Sequence, residues 1–66
     1  MKELIKTAEK GDMHAQYQLG NKYYMGIGVE QDFAEAEHWF KQASFHGHSG
    51  AKLYLDIMQG NEPAAE

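Results

Sequence analysis

Cysteine and arginine are missing from this chain, and proline occurs once. Without cysteine there is neither a disulfide framework nor a thiolate zinc site, the usual staples of a mini-protein. Without arginine, the bidentate contacts to phosphate and guanine favoured by nucleic-acid binders are out of reach. All six basic residues are lysine and the formal net charge is −4, so nucleic acid is not an expected partner. No run approaches the ~18 apolar residues of a membrane span. The start, Met1-Lys2-Glu3-Leu4-Ile5-Lys6, carries an early acid in place of the apolar block of a secretory signal. A cytoplasmic protein with no membrane attachment is the expectation. Length is the last shortage, since 66 residues leave room for one domain. Burial at ~25 cal/mol per Å² against ~1.5 kcal/mol of ordering entropy per residue comes out near zero for so short a chain. Helix packing, oligomerisation or a partner has to supply the difference.

What is there is a period. Sliding the sequence by 36 residues superposes Gly11 on Gly47, Ala15 on Ala51 and Leu19 on Leu55. These are a glycine between helices, a small contact residue and a core leucine one turn later. The helical pattern agrees. Asp12 is a good N-cap for a helix over 13–25, in which Ala15, Leu19 and Tyr23 recur at i, i+4, i+8. Gly26 and Gly28 end it, and Val29 is a candidate to tuck under the helices. Asp32 and Glu35 form a capping-box-like start to a helix over 33–46 with an apolar stripe of Phe33, Ala36, Phe40 and Ala43. Shorter helices over 2–10 and 50–59 flank this hairpin. The polar tail 61–66, with Pro63, reads as disordered. The layout is all-α: half a unit, one helix pair, and half a unit, in a single domain over 1–60.

The run Thr7 to Gly20, with Ala15-Gln16-Tyr17-Gln18-Leu19-Gly20, continues through Tyr23-Tyr24-Met25-Gly26-Ile27-Gly28-Val29 and Ala36 to Trp39-Phe40 and Ala43. It resembles the Sel-one-like repeat family, and Ala43 to Ala51 resembles the opening of a second unit. The resemblance covers nearly the whole chain except the tail. It implies antiparallel helix pairs of an α/α solenoid, right-handed and related to tetratricopeptide repeats, here about one and a half repeats long. It also implies a concave surface that holds a protein or peptide, with no catalytic role and no cofactor. Glu30 stands where many such repeats place proline, and solenoids usually need about three repeats for stability.

Other motifs have plainer readings. Gly26-Ile27-Gly28 follows no strand and opens no parallel sheet, so it is a turn and not a phosphate cradle. His14, His38, His46 and His48 raise a metal hypothesis, but no ligand spacing matches a known zinc pattern. Ser44 and Ser49 lack any strained turn that would present a nucleophile. The acids Glu30, Asp32, Glu35 and Glu37 complement a helix N-terminus, with attraction of a basic partner as a second use.

The two copies of the first helix differ in one respect. At the 36-residue offset Gln18 becomes Tyr54, Asn21 becomes Ile57 and Lys22 becomes Met58, and Glu9 likewise becomes Phe45. An exposed terminal helix should be more polar than its predecessors, and this one is more apolar, so it needs a cover. The expected contact residues are Gln18, Asn21, Lys22, Tyr24 and Met25 in the first unit and Tyr54, Ile57 and Met58 in the last helix. Trp39, Phe40, Leu19, Tyr23 and Ala36 are expected in the core. The leading expectation is a non-catalytic module, of adaptor or inhibitor type, that binds a protein or peptide partner. The alternatives are a homo-oligomer in which the terminal helix completes a longer solenoid, and a small histidine metal binder.

Overall fold

The computed structural model describes residues 1–60; the tail expected to be disordered, 61–66, lies outside them. Four helices follow in order: α1 (Lys2–Glu9), α2 (Met13–Met25), α3 (Phe33–Phe45) and α4 (Ser49–Gly60). No strand occurs among the described residues. Each helix packs chiefly on its neighbours in the chain, α1 on α2, α2 on α3 and α3 on α4, as a helical repeat array requires. No helix here is long and apolar enough to cross a membrane.

The 36-residue period is written in the backbone as well as in the side chains. Gly11 and Gly47 adopt φ of 101° and 97°, a region that a side chain strongly disfavours. Around them the hydrogen bonds repeat. Gly11 N–H donates to Ala8 O at 3.0 Å and Gly47 N–H to Ser44 O at 2.9 Å; Asp12 N–H donates to Thr7 O and His48 N–H to Ala43 O. The turns themselves shorten the helices by one residue relative to the sequence pattern. Lys10 and His46 split their N–H bonds between the i−4 and i−3 carbonyls, the tightening common at a helix end.

The helix starts are held by side chains. Asp12 Oδ1 accepts from His14 N–H at 2.9 Å and Ala15 N–H at 3.2 Å, and Asp32 Oδ1 accepts from Ala34 N–H at 3.0 Å and Glu35 N–H at 3.1 Å. Each oxygen satisfies donors that a helix leaves orphaned. At the other end of α2, Gly26 turns left-handed at φ 71° and Ile27 N–H reaches back to Lys22 O at 2.9 Å. The loop is then strapped down: Gln31 Nε2 donates to Tyr24 O and Asp32 N–H to Tyr23 O, both at 2.9 Å.

The core is built mostly from small residues, so the helices approach closely. Ala8, Ala15, Ala36, Ala43 and Ala51 are buried, and Leu19 and Phe40 are the two large side chains that water does not reach. They form two clusters. Ala8, Ala15 and Leu19 lie under Leu4, Ile5 and Trp39, while Ala36, Phe40, Ala43 and Ala51 lie under Tyr17, Tyr24, Tyr54, Leu55 and Met58. Tyr23 touches both clusters. Trp39 and Tyr23 are thus half-buried packing residues, and Leu19, Ala36 and Phe40 are fully interior. Two expected apolar positions stand elsewhere. Phe33 is 56% exposed because it opens α3 beyond the reach of the core, and Val29 is half-buried but joins neither cluster.

Gln16 ties α1 to α2. Its Nε2 donates at 2.9 Å to Ala8 O, the carbonyl that also accepts from Gly11 N–H, while its Oε1 is buried without a partner in the protein.

Candidate functional site

α2 turns about 100° per residue, so Gln18, Asn21, Lys22 and Met25, at i, i+3, i+4 and i+7, share one face. Tyr24 does not share it. Its ring packs edge-on to Phe33 at 5.5 Å, to Phe40 at 6.3 Å and to Tyr54 at 5.4 Å, on the flank of α2 that meets α3 and α4. The expected first-unit contact row therefore divides between two grooves. One, of about 370 Å³, is lined by Gln18, Asn21, Lys22 and Ile27; the other, of about 290 Å³, is lined by Tyr24, Phe33, Ile57 and Met58.

The two grooves are related by the repeat. Asn21 and Lys22 in the first correspond to Ile57 and Met58 in the second, so the same structural position is polar at one place in the array and apolar at the next. Asn21 Oδ1 is buried without a protein partner. Phe33 and Ile27, which no repeat comparison singled out, complete the two linings. Ile27 sits in the loop, outside the periodic pattern that reveals helix faces, whereas Phe33 opens the apolar stripe of α3 and packs on Tyr24.

Tyr54 occupies a different place from the other expected contact residues. Its ring stacks on Phe40 with centroids 4.9 Å apart and planes 5° from parallel, and it also approaches Tyr17 at 6.0 Å. The change from Gln18 to Tyr54 is thus absorbed inside the fold, where the tyrosine covers the largest core side chain. Met58 is half-buried against the same cluster. Ile57 remains 52% exposed, Met25 is exposed to the same extent, and Leu53, one turn before Ile57, is 63% exposed. Phe45, which replaces Glu9 of the earlier copy, is 85% exposed at the end of α3.

The face that α4 would offer to a further helix is mixed: Leu53 stands in the place of Tyr17, which packs on Phe40 of α3, and its other positions are polar or charged. Gln16, Gly20 and Tyr23 of α2 correspond to Lys52, Asp56 and Gln59. Lys52 and Asp56 form an exposed i,i+4 pair at 3.8 Å, and Gln59 Nε2 turns back to donate to Glu37 Oε2 at 2.7 Å. A helix packing on α4 as α3 packs on α2 would meet the Asp56 carboxylate where α2 has the bare backbone of Gly20. Burying that ion pair carries a desolvation penalty that its mutual attraction repays only in excellent geometry.

The histidines separate into unrelated settings. His38 lies beside Trp39 and His46 beside Phe45, while His14 and His48 meet edge to face at 5.4 Å. No group of three or more His, Cys, Asp or Glu positioned for a metal occurs among the described residues. His48 has a structural task that repetition of Asp12 makes intelligible. Its Nδ1 accepts from Ala51 N–H at 3.2 Å, and its ring stacks on Tyr17 at 4.3 Å. An accepting Nδ1 leaves the proton of the neutral ring on Nε2. Ligation of a metal through Nε2 would require that proton to move to Nδ1 and would break the cap. His48→Ala is expected to lower stability by about 1 kcal/mol through the lost cap, read as a shift in urea midpoint. His48→Asp rebuilds the arrangement at Asp12 and is expected to recover most of it. Equal losses in both variants would assign the start of α4 to the Tyr17 stack and not to the cap.

Comparison with known proteins fits this geometry. A Sel1 repeat model matches residues 14–48, more than half of the chain, spanning α2, α3 and the turn before α4. A similar protein, the ERAD-associated E3 ubiquitin-protein ligase component HRD3B of Arabidopsis thaliana, is 44% identical over 41 residues. That match covers 61% of this chain and 7% of the plant protein. No solved structure matches the chain. With the repeated glycine turns, the small-residue core and the family match in agreement, this chain belongs to the Sel1 repeat family.

Proposed function

We propose that this chain is a non-catalytic recognition module that holds a protein or peptide partner, in an adaptor or inhibitor role. Sel1 repeats generally mediate protein–protein interaction, which supports the class. The observation that carries the site is the groove of Tyr24, Phe33, Ile57 and Met58. Its four lining residues are apolar or aromatic, with polar atoms sharing the exposed surface, and Phe33 and Ile57 are both more than half exposed. Exposed apolar area gathered in one concavity marks an interaction surface more often than scattered surface apolar residues do. The contact set on this reading is Tyr24, Phe33, Ile57 and Met58, while Gln18, Asn21, Lys22 and Met25 form a separate surface on the other face of α2. Tyr54 supports the groove from beneath.

The test is affinity capture by the wild-type chain and by Ile57→Glu, followed by titration of the purified captured protein. Ile57 is half exposed, so the variant is expected to keep its helical circular dichroism. A partner that binds the wild type and binds Ile57→Glu at least tenfold more weakly is the expected outcome. Equal binding to both, or turnover of a substrate by the chain, would sink the reading.

A second reading rests on Leu53 and Ile57, exposed one turn apart on α4: two copies pair through this ridge. Sedimentation equilibrium over a hundredfold concentration range decides it, with Leu53→Glu as the control that should abolish any association. The Lys52 and Asp56 charges weigh against continuation of the solenoid across such a contact and favour a ridge-to-ridge pairing.

A further inference from the structure

We propose that the groove of Tyr24, Phe33, Ile57 and Met58 takes an apolar side chain from a basic segment of a partner protein, an inference that rests on the recognition role proposed above. Charge placement carries it. The stretch from Gly26 to Glu37 holds Glu30, Asp32, Glu35 and Glu37 and no lysine, and outside it six acids balance six lysines. The whole net charge of −4 is therefore concentrated in the loop and the first turns of α3. This is the end of the molecule where the groove lies. Phe33 is part of the acidic stretch, and the hydrogen bonds from Gln31 to Tyr24 and from Asp32 to Tyr23 hold the acidic loop against the end of α2. Glu37, one turn beyond Phe33 on the same side of α3, accepts from Gln59, two residues beyond Ile57. The acidic loop thus adjoins the lining at Tyr24 and Phe33, and Glu37 follows one turn along α3 from Phe33.

Their charge is only partly answered within the protein. Glu37 meets Lys41 at 3.8 Å, whereas Glu30 and Glu35 are exposed and form no ion pair among the described residues. An apolar hollow adjoined by one sign of charge selects a ligand with an apolar anchor and the opposite sign, since complementary potential steers encounter and suppresses wrong partners. The size agrees. At about 290 Å³ the groove falls at the lower edge of small-molecule sites and suits one or two side chains. The occupant is therefore a segment with leucine, methionine or phenylalanine flanked by lysine or arginine.

The experiment is selection of a random peptide library displayed on phage against the full chain, followed by ¹⁵N–¹H titration with the enriched peptides. Apolar residues beside lysine or arginine are expected in the enriched set, with the largest shifts at Tyr24, Phe33, Ile57 and Met58. Ile57→Glu should weaken binding at least tenfold. Glu30→Gln with Glu37→Gln should weaken it several-fold, as should raising salt from 0.05 to 0.5 M. Peptides without basic residues, or shifts confined to the Gln18, Asn21 and Lys22 groove, would overturn this inference and leave the recognition role standing. No enrichment over a blank surface would overturn both.

Discussion

Replacing Phe40 with alanine is expected to leave the chain largely unfolded at room temperature. Phe40 is wholly buried and is the common contact of three helices: Tyr17 and Tyr24 of α2 lie 5.9 and 6.3 Å from its ring, and Tyr54 of α4 stacks on it at 4.9 Å. A buried Phe→Ala change costs about 3 to 5 kcal/mol. At ~0.05 to 0.15 kcal/mol per residue, a chain of this length has about 3 to 10 kcal/mol in total, and in the lower half of that range, where so short a chain belongs, the loss takes most or all of it. The buried neighbours of its cluster are alanines, too short to fill the gap, and Tyr17, Tyr24 and Tyr54 would have to leave their own packing to do so. Far-UV circular dichroism during thermal unfolding reads the result. A fall in melting temperature of about 15 °C or more, or no transition at all, is expected. Phe40→Leu, which keeps much of the volume, is expected to remain folded and lose about 1 to 1.5 kcal/mol. A loss under 1 kcal/mol for Phe40→Ala would show that the aromatic stack does not hold α4 to the hairpin.

Gly20→Ala is expected to destabilise, against the ordinary preference of helices. A helical Gly→Ala change normally gains about 1 kcal/mol. At Gly20, however, a Cβ would stand 2.8 Å from both Cδ1 and Cε1 of Phe40 and 3.2 Å from its Cγ. That ring is stacked on Tyr54 of α4 and packed by Tyr17 and Tyr24, so its retreat disturbs α4 or α2. Overpacking of this kind costs about 1 to 3 kcal/mol, which outweighs the propensity gain. Denaturant melts of the single variants and the pair Gly20→Ala with Phe40→Leu test the cause. If contact with the ring is responsible, shrinking it should relieve the alanine, and the double variant should be more stable than the sum of the two losses implies. Strict additivity would place the cost of Gly20→Ala elsewhere.

Much of this architecture was legible because repetition exposes it. Gly11 and Gly47, Ala15 and Ala51, and Leu19 and Leu55 report the period, and the turns they mark have matching left-handed glycines and matching hydrogen bonds. Asp12 and Asp32 announce helix starts by the chemistry of a side-chain oxygen near an orphaned amide, a local effect that needs no tertiary context. His48 escaped that logic, since imidazole is not a usual cap. Its role appears only when repeat position and geometry are set together.

The candidate site was less legible. Gln18, Asn21, Lys22, Tyr24 and Met25 read as one contact row of the first unit, yet two residues along a helix point nearly opposite ways, and Tyr24 lines a groove with Phe33, Ile57 and Met58. The polar-to-apolar changes at Tyr54, Ile57 and Met58 looked alike in the sequence. Packing divides them, with Tyr54 stacked on Phe40, Met58 half covered and Ile57 facing outward.

The sequence by itself determined the helices, their period and the glycine turns between them, because caps, turns and periodicity depend on residues within a few positions of one another. It also determined the charge asymmetry, a matter of counting. Only the tertiary structure decided which apolar residues of α4 are core and which form a groove, and that the acidic loop borders it. Those outcomes depend on how α2, α3 and α4 approach, an approach set by one missing side chain at Gly20 and one large ring at Phe40.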